Sequence, residues 1–229
     1  MSLLFTGVGA TSGGAASNGL LTGLASYWKL EEASGTRADA HGDLDFDTII
    51  GAPGNGVGKS GNAIDLSGGK NYLDTSTETT AFDGATNLSI SVWVKNTSTT
   101  VGVYLGQFAA TGWLFQVASG NLLRFFNGGT STTKTSYATT GSWVNIIFTF
   151  DGSQSLGSRG KLYVDGSDVT SSDNTGTTIV NGDDALLLGG FPSGSNDQDG
   201  LMDECAIWLR TLSTDDVTLL QTTFYDSFS

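Results

Sequence analysis

The residues best placed to do chemistry in this chain are carboxylates. Asp203 and Glu204 interrupt the otherwise apolar strand that opens Gly200–Leu220 (GLMDECAIWLRTLSTDDVTLL), and a second adjacent pair, Glu31-Glu32, follows Tyr27–Leu30. A carboxylate inside a strand must face solvent, find a partner or bind a metal, because stripping it of water without compensation is costly. Met202, Glu204, Ala206 and Trp208 alternate with Asp203, Cys205, Ile207 and Leu209, the period of a strand. Neighbouring side chains on such a strand point to opposite faces. Neither pair is therefore expected to line one cleft as a glycosidase acid/base couple, although one carboxylate from each pair could meet.

Other chemistries are thinner. His41 is the single histidine, so a histidine-based zinc site is excluded and one ring would have to fill every imidazole role. No GxSxG elbow occurs. Cys205 is the single cysteine, so no disulfide forms within the chain; it is expected as a small buried hydrophobe. Gly56–Gly61 (GVGKSG) satisfies GxGxxG but lacks the strand–turn–helix context, and the related phosphate loop fails because Pro53 stands where its first glycine should be. It reads as a structural turn. Ser195–Gly200 begins like an EF-hand loop, but Ser195 and Ala206 would occupy two essential ligand positions.

The elements that must position these groups are strands. The chain has 229 residues, 33 of them Gly and only 2 Pro, and long helical patterns are missing. That mix favours many short antiparallel strands joined by tight turns. Leu88-Ile90-Val92-Val94 and Val144-Ile146-Phe148-Phe150 each line one face of a half-buried strand, and Asp165-Gly166 marks a hairpin. After the last strand the period changes: Ser213 is placed as an N-cap, Asp216 three residues on, with Leu212 and Val217 as a hydrophobic staple. With 10 Lys+Arg against 23 Asp+Glu, the net charge of −13 disfavours nucleic acid and anionic membrane, and no apolar run approaches a membrane span. Residues 1–24 form an uncharged Gly/Ala/Ser-rich arm without the basic start of a signal peptide, and 25–229 the folded domain.

Six segments, in order, resemble the laminin-G-like domains of the concanavalin A-like jelly-roll superfamily: Tyr27–Thr36 (YWKLEEASGT), Asp39–Leu44, Gly58–Asp65 (GKSGNAID), Leu88–Lys95, Ser142–Gly152 with Lys161–Gly166, and Gly200–Leu220. The resemblance covers roughly residues 25–221 and implies an all-β, two-sheet antiparallel jelly-roll sandwich with a short C-terminal helix and an extended N-terminal arm. It also implies a structural calcium. By position its ligands would be Glu32, Asp39, Asp43 and Asp203, a set of hard oxygens suited to that ion. Glycan binding in such folds relies on exposed aromatics. Trp28 and Trp208 are expected in the core, and Trp113 as the sugar contact. A module of this kind with an uncharged arm is similar to surface proteins of tailed-phage particles. That similarity implies a non-enzymatic virion protein, assembled in the host cytoplasm as a homo-oligomer, meeting other virion proteins through residues 1–24 and cell-surface glycans through the sandwich. The alternatives are a carbohydrate-binding module of a secreted bacterial protein and a glycan hydrolase or lyase.

Overall fold

The structure is a computed structural model and describes residues 19–97, 101–108, 111–137, 141–192 and 197–228. Most of the expected arm, residues 1–18, lies outside the described residues. The strands are β1 (Leu24–Trp28), β2 (Thr48–Ile50), β3 (Gly54–Val57), β4 (Asn62–Asp65), β5 (Tyr72–Glu78), β6 (Asn87–Asn96), β7 (Gly102–Phe108) and β8 (Gly112–Ala118). They continue with β9 (Leu122–Asn127), β10 (Thr130–Lys134), β11 (Val144–Asp151), β12 (Gly160–Val164), β13 (Ser167–Asp168), β14 (Ser172–Asp173), β15 (Ala185–Leu188) and β16 (Gly200–Trp208), after which comes the helix α1 (Thr214–Leu219).

They form two antiparallel sheets, the expected sandwich. The first runs β13-β12-β11-β6-β16-β4-β3, with β1 also on β16; the second runs β14-β10-β9-β8-β7-β15-β5-β2. The alternating residues of β6 and β11 face inward, and Phe148 pairs in register with Ile90. Opposite them stand Trp113, Phe115 and Val117 of β8 and Leu123 and Phe125 of β9. Phe125 and Phe148 stack across the sandwich with ring centroids 3.9 Å apart. Each fully buried ring of this kind contributes roughly 1.5–3 kcal/mol.

A second cluster covers the outer face of the first sheet. Leu20, Leu24, Tyr27, Ala206, Trp208, Leu212, Val217, Leu220 and Phe228 are all buried in it. The indole of Trp208 donates to the Leu20 carbonyl at 2.7 Å, and Arg210 holds the carbonyls of Thr22 and Gly19. The stretch from Gly19 to Leu24, expected as the end of the arm, is thus part of the sandwich's own packing. Helix α1 carries the expected capping box between Ser213 and Asp216.

β16 departs from its expected alternation. Asp203 pairs with Trp93 and Ala206 with Ser91, so Glu204 and Cys205 together oppose Val92. This is a β-bulge, with Glu204 at φ 49. It reverses the phase of the strand. Met202, Cys205 and Ile207 enter the core, while Ala206 and Trp208 turn to the outer cluster.

Candidate functional site

The bulge also overturns the expectation that Asp203 and Glu204 diverge. Both lie on the outer face of the first sheet, and both are buried, at 0% and 5% exposure. They occupy a gap: on one edge of β16, β4 pairs with Leu201 and Met202 and β1 with Cys205 to Trp208, leaving 203 and 204 between them. One oxygen of Asp203 accepts the backbone N–H groups of Lys59 (2.7 Å) and Ser60 (3.0 Å), tying the Gly58–Gly61 turn to the strand. Its other oxygen, Oδ1, is buried without a partner. Glu204 accepts the Tyr27 hydroxyl. Loss of hydration pushes the Asp203 carboxyl up to about 8 and Glu204 to about 7, the two charges also repelling one another. Lys59 is spent over the Trp93 ring, 4.1 Å from its centroid.

The four residues expected to hold calcium are not gathered into one cluster. Among the described residues, no three His, Cys, Asp or Glu side chains are gathered as a metal site would need. Asp39 Oδ1 accepts from the backbone of Tyr27, His41 and Gly42, and Oδ2 from Leu44, so hydrogen bonds already hold the loop together. Glu32 Oε1 accepts from the Ala38 N–H, while its Oε2 is buried without a partner. Asp43 is exposed, while Asp203 is bound to the Gly58–Gly61 turn.

Trp113 is likewise not a sugar contact. It is fully buried, stacked on Phe125 at 5.7 Å, and its Nε1 donates to Gln107 Oε1 at 3.1 Å. Trp28 and Trp208 are buried as expected.

A group of partly exposed aromatic rings lies on the outer face of the second sheet. Strand register builds that face in rows whose exposed end is on β9, β10 and β14, while Val103, Gly106, Leu114, Gln116 and Leu187 in the same rows are buried. One row runs Val103, Gln116, Arg124, Thr133, Ser172; the next runs Leu187, Gly106, Leu114, Phe126, Ser131. The residues between them in sequence, such as Phe115, Leu123 and Phe125, fill the core, so these rows point outward. Phe108 meets Phe126 edge-on and Phe191 at a tilt, with centroids 5.9 Å apart in each case. The Arg124 guanidinium lies 5.2 Å above the Phe126 ring. Gln116, 2% exposed, accepts from both Nε and Nη2 of Arg124 at 3.0 Å when its amide oxygen faces the guanidinium. Three partly exposed rings, a fixed guanidinium and the Ser131, Thr133 and Ser172 hydroxyls can stack on and hydrogen-bond to a flat polar ligand. Neither Phe126 nor Arg124 was anticipated. The signal was present in Leu122-Leu123-Arg124-Phe125-Phe126-Asn127, whose alternation puts Arg124 and Phe126 in the outward phase.

Fold and surface together define a lectin-like two-sheet sandwich. The chain belongs to the concanavalin A-like lectin/glucanases superfamily, whose laminin-G-type family matches residues 67–218. Comparison with curated proteins finds no match. Among solved structures it is similar to domain 4 of AbnA, an extracellular arabinanase of Geobacillus stearothermophilus solved with arabinotriose (20% identity, 87% of this chain and 98% of that one, TM-score 0.67). It is also similar to the binding domain of Paraclostridial mosquitocidal protein 1 (17%, 88% and 52%, 0.66) and to the sialidase of Trypanosoma rangeli (11%, 87% and 32%, 0.61). The chain thus spans about half of the second and a third of the third. At these identities the likeness is one of fold.

Proposed function

We propose that this protein is a non-catalytic glycan-binding module that holds its ligand on the outer face of the second sheet. The observation that carries the reading is the Phe108–Phe126–Phe191 group with Arg124 fixed beside it by Gln116. Sugar rings present apolar C–H faces to aromatic rings and hydroxyls to polar side chains, and this surface offers both. The arabinotriose held by the arabinanase domain supports the same reading. Binding is favoured over turnover because Asp203 and Glu204, the buried carboxylate pair, belong to the other sheet and are closed over by their own contacts. We carry with it the placement implied by the resemblance to phage surface proteins, in which the chain before Gly19 attaches to other virion proteins and the sandwich faces outward.

The test is a glycan array followed by calorimetry on the whole chain. A bound glycan should lose about tenfold in affinity or more in Phe126→Ala, equivalent to about 1.4 kcal/mol, with the melting temperature nearly unchanged because Phe126 is partly exposed. Binding that survives Phe126→Ala and Phe108→Ala together would place the ligand elsewhere and overturn the reading. For the particle placement, gold-labelled antibody against the sandwich should decorate intact phage particles; unlabelled particles from cells that make the protein would refute it.

A further inference from the structure

We infer that the face selects a glycan carrying a carboxylate, which docks on the free end of Arg124. The inference rests on the glycan-binding reading and names the sugar class.

Its basis is a charge without a partner. Acidic residues outnumber basic ones 23 to 10 in this chain. Among the described residues, Lys29, Lys161 and Arg210 pair with Asp226, Asp168 and Asp216. Among the same residues the other seven basic side chains make no ion pair, and of these Arg124 is partly exposed and lies over an aromatic ring on the outer face of the second sheet. Its polar neighbour is the neutral amide of Gln116. A guanidinium has five N–H donors in a fixed plane. Gln116 occupies the side formed by Nε and Nη2. The end formed by Nη1 and the second hydrogen of Nη2 makes no hydrogen bond among the described residues, and that edge matches a carboxylate in the two-bonded fork geometry. Gln116 therefore does the work of orientation and leaves the charge uncompensated. Had the site been built for neutral sugar alone, an Asp or Glu at position 116 would have fixed the same fork and neutralised it. Thr133, which pairs in register with Arg124, places a hydroxyl beside the anion position, where it would meet sugar hydroxyls rather than compete for the guanidinium.

The experiment uses the full chain and glycans presented with and without the acid: trigalacturonate and sialyllactose, each against its methyl ester, together with neutral and sulfated glycans on one array. The expected result is that at least one carboxylated glycan binds tenfold or more tighter than its ester. That gap should shrink as salt is raised, vanish in Arg124→Gln and partly persist in Arg124→Lys. Equal binding of acid and ester by the parent protein overturns the inference while leaving the glycan reading intact, and this comparison does not depend on any variant folding. Binding of sulfated glycans alone overturns the carboxylate assignment. Absence of binding to every glycan overturns both readings.

Discussion

Replacing Asp203 by Asn should stabilise the protein at alkaline pH and leave it nearly unchanged at acidic pH. In the unfolded chain this carboxyl titrates near 3.8, and in the folded chain near 8. Between those values the folded state keeps a proton that the unfolded state has released. Stability is therefore greatest below the unfolded value and falls as pH rises through the folded one. The slope approaches about 1.4 kcal/mol per pH unit, so roughly 4 kcal/mol is at stake for Asp203 between pH 5 and 8. Glu204, raised to about 7, acts in the same direction, and the protons leave the pair in turn. Asn at 203 keeps an oxygen for the Lys59 and Ser60 N–H groups, puts a donor where Oδ1 has no partner, and never ionises. The variant should lie within about 1 kcal/mol of the parent at pH 5 and exceed it by about 2–4 kcal/mol at pH 8. In a domain of this size that is a rise of about 2–4 °C in Tm per kcal/mol. Urea unfolding followed by tryptophan fluorescence at pH 5, 6, 7 and 8 measures it. Parallel pH profiles for parent and variant would refute the reasoning, as would a uniform loss of stability in the variant, since either would mean that Asp203 is charged and well paired in the fold.

Other consequences follow from single contacts. Trp113→Phe leaves Gln107 Oε1 without its indole donor; unfolding should become easier by about 1–3 kcal/mol, with glycan affinity unchanged in calorimetry. Gly58→Ala places a methyl 2.3 Å from the Asn62 carbonyl and 2.7 Å from Asp203 Oδ2; a cost of about 1–3 kcal/mol should appear in the melting curve. Arg210→Ala releases the carbonyls of Gly19 and Thr22, so limited proteolysis should cut before Leu24 faster than in the parent. Because Asp39 and Asp203 are engaged by backbone N–H groups, calcium added to chelator-treated protein should leave Tm unmoved, and a clear rise would restore the metal site that the resemblance implies.

The fold was legible in the sequence wherever periodicity was unbroken. The alternation in β6 and β11 identified the core faces, and Ser213, Asp216 and Val217 identified the helix start, because these signals are local. The bulge in β16 was not legible. Nothing in the types of Met202–Ala206 requires two residues to oppose Val92; the requirement comes from β4 and β1 ending on either side of the same stretch of edge, a long-range fact. One extra residue then reversed the phase and brought both carboxylates to one face. The calcium set depends on a long-range fact of the same kind. Asp39 stands at the expected position, but whether its oxygens face an ion or the N–H groups of Tyr27, His41, Gly42 and Leu44 depends on how that loop closes. Trp113 shares the inward phase of β8 with Phe115 and Val117, a phase that residue type alone does not reveal.

The two sheets answer the problem of an unpaired ionisable group in different ways, and the difference points to where function lies. On the first sheet, Asp203 is buried against the Gly58–Gly61 turn and Glu204 against Tyr27. A carboxylate there can take up a proton, so the fold tolerates it at a pH-dependent cost and needs nothing from outside. On the second sheet, Arg124 has no such escape, since a guanidinium stays charged at any pH the protein meets. Partial burial lowers its pKa somewhat but does not bring it within reach of neutralisation. Nor does the terminal packing that closes the first sheet include it. A charge that cannot be discharged, is held in one orientation by a neutral amide and is left open at its recognition edge is compensated only by solvent or by an anion that arrives. That asymmetry is the physical ground for proposing the second sheet as the binding side of the sandwich.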